Sequence, residues 1–199
     1  MKFRALGFVL ILLAFFPQPT QAAEVTSQAI ATAPGVNIDT SLLLPQKLPA
    51  PAILLAHGFG GSKDSVIAEA KFYQERGYVV MTWTARGFGK STGQITMNST
   101  DAEISDIRLL ISALSKNKSV IQDGSGDPRV GIAGASYGGA AALMTAALDK
   151  RIDAVIADIT WSDMQQALFP QSAVGVTEPG PFKKIWTGTF FALATLQSA

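Results

Sequence analysis

Val130-Gly131-Ile132-Ala133-Gly134-Ala135-Ser136-Tyr137-Gly138-Gly139-Ala140-Ala141-Ala142 is the stretch that decides the fold. An apolar run of strand length ends in G-x-S-x-G and passes directly into small residues that predict a helix from about Tyr137 to Leu148. The spacing has a steric reason. A serine on a tight turn between strand and helix leaves no room for side chains two residues to either side, and glycine removes those Cβ atoms. The helix that follows presents unpaired N–H groups beside the serine oxygen and favours negative charge there. Ser136 is therefore the candidate nucleophile.

The neighbouring segments repeat the pattern. Ala52-Ile53-Leu54-Leu55-Ala56 is a short apolar run between Pro51 and Gly58, as in a strand buried on both faces. A helix is expected from about Lys63 to Arg76, with Gly77 as its stop. Val79–Trp83 reads as the next strand, and residues 85–99 as a glycine-rich loop. Asp101 reads as a helix start, followed by Ile104, Ile107, Leu110, Ile111 and Leu114 at helical spacing. Ala154–Ala157 reads as a fourth core strand, and Val36–Leu44 as extended chain. Strands alternating with helices predict an α/β domain built on a mainly parallel sheet.

Composition removes whole classes of function. The chain has 199 residues, 48% hydrophobic and 16% charged, with net charge +1, no cysteine and one histidine. That excludes a disordered polar chain and gives no footprint for nucleic acid. It also removes disulfides, thiol catalysis and cysteine metal sites, and one histidine makes a poor zinc site. No metal and no cofactor is expected. Gly89-Lys90-Ser91 mimics the end of a phosphate-binding loop, but Thr84 stands where that motif needs glycine. Gly87-Phe88-Gly89 fails as a dinucleotide fingerprint because Thr92 replaces its third glycine.

At the N-terminus, Lys2 and Arg4 precede an apolar run from Ala5 to Phe16, then Pro17, Pro19 and Thr20-Gln21-Ala22. This is the pattern of a secretory signal peptide over residues 1–22, and the run is short of the roughly 20 residues a spanning helix needs. The expected location is periplasmic or extracellular, with no membrane attachment after cleavage.

His57-Gly58-Phe59-Gly60-Gly61-Ser62-Lys63, Arg86-Gly87-Phe88-Gly89-Lys90-Ser91-Thr92-Gly93 and Gly134-Ala135-Ser136-Tyr137-Gly138-Gly139 together resemble the α/β-hydrolases. The most similar group is the Xaa-Pro dipeptidyl-peptidase-like and cocaine-esterase-like serine hydrolases, over roughly Val36 to Trp161. The resemblance implies ester or peptide-amide hydrolysis through an acyl-enzyme on Ser136. It implies an oxyanion hole made by the backbone amides of Phe59 and Tyr137. Members of that group often place a tyrosine side chain in the hole, whereas His57-Gly58-Phe59 implies the backbone form. His57 lies before the serine, out of order for the base of this fold, and is read as a residue that shapes its loop.

After Ser136 there is no histidine. The acids there are Asp149, Asp153, Asp158, Asp163 and Glu178, of which Asp158 and Asp163 fall near the end of the fourth strand. Trp83, Trp161 and Trp186 are candidates to line an acyl pocket or simply to fill the core. Residues 23–199 are read as a partial α/β-hydrolase domain. The segment from about 160 onward is read as the start of a cap whose apolar face holds Ile185, Phe190, Leu193 and Leu196. The sheet edge and apolar surface left uncovered would favour self-association. Two functional readings follow: a serine hydrolase impaired in this chain by the missing base and acid, acting on a small-molecule ester or peptide, or a non-catalytic hydrolase-like binding module.

Overall fold

The computed structural model describes residues 25–169 and 183–196, with side chains as far as 192. The predicted signal peptide and Glu178 lie outside these residues, as do the side chains of Leu193 and Leu196.

Strands β1 (Val25–Ala33) and β2 (Val36–Leu43) form a hairpin turned at Gly35, whose φ is +72°. The parallel core follows with β3 (Ala52–Ala56) and β4 (Val79–Trp83). A 3-10 turn over Lys63–Val66 and helix α1 (Ile67–Glu75) join them, and Gly77 at φ +93° ends that connection as expected. Helix α2 (Glu103–Leu114) comes next, then a small hairpin of β5 (Gln122–Gly124) and β6 (Asp127–Pro128). Strand β7 (Val130–Ala135), helix α3 (Tyr137–Leu148) and strand β8 (Ile152–Asp158) complete the core. Helices α4 (Met164–Leu168) and α5 (Lys184–Leu196) lie beyond it.

The main sheet runs β1-β2-β4-β3-β7-β8. β4, β3, β7 and β8 are mutually parallel, while β1 and β2 are antiparallel additions at one edge. One face packs Ile38, Leu54, Met81, Trp83 and Ile132 under the Ile104, Ile107, Leu110, Ile111 and Leu114 stripe of α2 and under Ala141 and Ala142 of α3. The other packs Leu43, Leu55, Val80 and Ala133 beneath Ala70 of α1. This is an α/β domain with helices on both faces.

Several expectations need correction. Strand β1 was not expected, because its residues are mostly exposed and carry no apolar alternation. Asp101 does not start α2. The helix begins at Glu103, its N-cap Ala102 supplies no side-chain bond, and the Glu103 carboxylate turns back to take the N–H groups of Thr96 and Ser99. β8 is an edge strand rather than a buried one: Ala154, Val155 and Ile156 are exposed, Ile156 by 58%. In α5, Ile185 is 83% exposed, so it does not share the packed side with Phe190.

Candidate active site

Ser136 sits between β7 and α3 with φ 54° and ψ −119°, a backbone conformation that is costly for any residue with a side chain. The surroundings enforce it. Its N–H donates to the Asp158 carbonyl at 3.0 Å, and its own carbonyl accepts from the Ala140 N–H at 3.0 Å and from Thr160 Oγ1 at 2.7 Å. The glycines are where close contact demands them. A Cβ on Gly134 would lie 2.6 Å from the Gly138 carbonyl carbon, and one on Gly138 would lie 2.7 Å from the His57 carbonyl oxygen. One on Gly139 would meet the Asp158 carbonyl at 2.9 Å, so α3 packs backbone to backbone on the ends of β3 and β8. Ser136 itself is half-buried.

The loop after β3 passes beside this bend. His57 is 2% exposed and both ring nitrogens are engaged. Nε2 accepts from the Ala85 N–H at 2.9 Å, and Nδ1 lies 2.7 Å from the Gly58 carbonyl. An amide can only donate and a carbonyl can only accept, so the ring is the neutral Nδ1–H tautomer. Burial holds its pKa below the ordinary value, partly opposed by the Gly58 bond. His57 thus shapes the loop, as its position before the serine predicted. Gly61 N–H closes a turn on the Gly58 carbonyl at 3.0 Å, with Gly60 at φ +79° in the position where such turns favour glycine. Among the described residues, the N–H groups of Phe59 and Tyr137 donate to no partner.

The loop is fastened again at its far end. Lys63 N–H donates to Thr84 Oγ1 at 3.0 Å, and its buried ammonium meets Asp39 at 3.1 Å, Ser27 Oγ at 2.9 Å and Ser41 Oγ at 3.0 Å. The Arg86–Gly93 loop braces the same corner. Ser91 Oγ donates to the Thr84 carbonyl at 2.6 Å while accepting from the Asp39 N–H at 2.9 Å. Arg86 grips Asp106 with two bonds of 2.6 Å. The serine of Gly89-Lys90-Ser91 is therefore a buried structural group, and Lys90 is exposed.

Phe59, Phe88 and Tyr137 meet edge to face at 5.2–5.7 Å, and Ile95, Met97 and Trp161 pack against them. Phe190 of α5 reaches Phe59 at 4.7 Å. Of the tryptophans, Trp83 is core, Trp161 joins this cluster, and Trp186 is 54% exposed. Asp158 is exposed and lends only its carbonyl to Ser136, while Asp163 caps α4 through the Gln166 N–H at 2.9 Å. Asp149 is paired to Arg151, which lowers its pKa, and Asp153 accepts from the Val130 N–H. The buried lysine and the buried Glu103 escaped the sequence reading, because charged side chains are by default assigned to solvent.

Comparison with known proteins agrees with this fold. A polyketide transferase from Penicillium sp is 30% identical over 118 residues, covering 58% of this chain and 38% of its own. The quorum-quenching protein AidA of Acinetobacter baumannii is 34% identical over 123 residues, 59% of this chain and 38% of its own. The chain thus spans less than half the length of these curated relatives. The crystal structure of the alpha/beta hydrolase GrgF from Penicillium sp. sh18 superposes with TM-score 0.62 at 24% identity, covering 71% of this chain and 48% of that one. The Pyrococcus furiosus esterase Pf2001 does so with TM-score 0.61 at 19% identity, covering 89% and 64%. The fold is that of the α/β-hydrolases. A family model described as X-Pro dipeptidyl-peptidase (S15 family) matches residues 34–189, and the chain belongs to that family.

Proposed function

We propose that Ser136 is the nucleophile of an acyl-transfer reaction on ester or amide bonds of a small molecule or peptide. The supporting observation is its strained bend, held by Asp158 and Thr160 at the N-terminus of α3. In this reading Oγ attacks the substrate carbonyl, the Oγ–C bond forms, and the oxygen that gains charge lies against the Phe59 and Tyr137 amides. The alcohol or amine then leaves, and water releases the acyl group from Ser136. A polyketide transferase and a thiohydrolase among the relatives support this reaction class.

The serine proton needs an acceptor. His57 is the one histidine of the chain, and both its nitrogens are occupied. The 199-residue chain should therefore react slowly by itself, and this favours the binding module as the second reading. A fluorophosphonate probe with peptide mapping separates the two. The expected result is slow labelling at Ser136, faster with added imidazole and lost in Ser136→Ala. No label at Ser136 even with imidazole would leave only the binding module. Export through residues 1–22 belongs to the same proposal. N-terminal sequencing of protein recovered outside the cytoplasm should begin near Ala23, and a sequence starting at Met1 would refute it.

A further inference from the structure

Between the Arg86–Gly93 loop and α2, two successive residues take left-handed backbone: Met97 at φ 56° and Asn98 at φ 65°. Neither is glycine, and methionine has no local hydrogen bond to offset the conformation. The turn persists because its surroundings over-determine it. The Glu103 carboxylate accepts the Thr96 N–H at 2.6 Å, the Thr96 hydroxyl, and the Ser99 N–H at 3.2 Å.

This turn grips one residue of the bend. Asn98 Nδ2 donates to the Tyr137 carbonyl at 3.0 Å, and the Tyr137 hydroxyl donates to Glu103 Oε1 at 3.3 Å. Asn98, Glu103 and Tyr137 are each 2% exposed, so water does not compete for these bonds. Tyr137 is held at its carbonyl and at the tip of its ring, while its N–H has no partner among the described residues. The same ring lies edge-on to Phe59 at 5.6 Å. The Tyr137 N–H lies in the peptide plane it shares with the Ser136 carbonyl, which Ala140 and Thr160 hold, and the two Tyr137 anchors fix the residue on the other side of that plane.

We infer that the Thr96–Ser99 turn is a positioning device for the Tyr137 amide, and that Asn98 is its positioning residue. The inference rests on the reading of that amide as an oxyanion donor.

Asn98→Gly is the discriminating variant. Glycine keeps the left-handed backbone without strain but also empties a buried side-chain site, so a purely structural role predicts a lower thermal midpoint with Ser136 labelling and Ala140 exchange unchanged. Well below the variant's own thermal midpoint, the expected result has two parts: imidazole-assisted labelling of Ser136 at least about tenfold slower, and at least about tenfold faster exchange of the Ala140 amide. That amide donates to the Ser136 carbonyl and reports the bend directly, while the Leu110 amide within α2 serves as the unaffected control. Wild-type labelling and exchange rates in Asn98→Gly would overturn the inference. Asn98→Asp, which offers an acceptor where a donor is needed, should slow labelling equally. If both variants fail to fold, the turn is a stability element and the inference also falls. A wild-type chain that takes no label sinks the acyl-transfer reading alone, and the exchange measurement still decides the role of Asn98.

Discussion

The Nε2 atom of His57 accepts a hydrogen bond from the Ala85 amide at 2.9 Å, so the one histidine of the chain is spent on joining two loops. A single histidine makes this relationship directly readable, since its imidazole nitrogens give one pair of NMR signals. They should show Nδ1 protonated and Nε2 acting as an acceptor near neutral pH. Signals averaged between tautomers would refute the assignment.

Stability should depend on pH for the same reason. Burial holds the folded imidazole below its ordinary value of 6.5, so between those two points the unfolded chain binds a proton that the folded chain does not. The stabilisation is complete above pH 6.5 and is lost as pH falls toward the folded value, at up to about 1.4 kcal/mol per pH unit. Urea midpoints measured from pH 7.5 to about 5.5 test this. A flat profile for the wild type, or an identical slope in His57→Gln, would refute it.

Two glycine substitutions should behave differently. Gly138→Ala drives a methyl group to within 2.7 Å of the His57 carbonyl and 2.8 Å of the Ala56 carbonyl, both backbone atoms of a core strand end. A cost of about 2–4 kcal/mol is expected. A Cβ at Gly60 meets nothing within 4 Å, and only its φ of +79° penalises alanine, by about 1–2 kcal/mol. Equal urea midpoints for the two variants would contradict the close packing of α3 on β3.

Lys63→Met should cost about 3 kcal/mol, because it strands Asp39 in a largely buried site. The double variant Lys63→Met with Asp39→Asn should recover part of that loss. Strictly additive effects would show that the pair is not coupled.

The exposed edge of β8 should favour association between copies of the chain. Sedimentation velocity should show concentration-dependent growth that Ile156→Lys suppresses, since a lysine on an edge strand opposes pairing. A monomer at all concentrations would end that expectation.

The sequence displayed the parallel core and the serine bend because both rest on local rules. Val79–Trp83 is apolar throughout, and Gly134 and Gly138 flank Ser136 at the distance sterics require. It hid what depends on distant partners. Strand β1 is recognisable only by its pairing with β2. Lys63 is charged, and nothing local says that Asp39, Ser27 and Ser41 converge on it. Asp101 looked like a cap by residue type, but Glu103 won because its longer side chain reaches two amides of the preceding turn. Ile185 fitted a helical stripe, yet a stripe does not say which side finds a neighbour.

Fastening His57 to Ala85 and Lys63 to Thr84 ties both ends of one short segment to adjacent residues of a single corner. The contour length between those knots is therefore set by geometry, with no slack to take up an added or deleted residue. The Gln122–Pro128 hairpin, largely exposed and remote from that corner, has no such constraint. Natural length variation and engineered insertions should accumulate there, while the stretch from 57 to 63 should keep its residue count even as its side chains change.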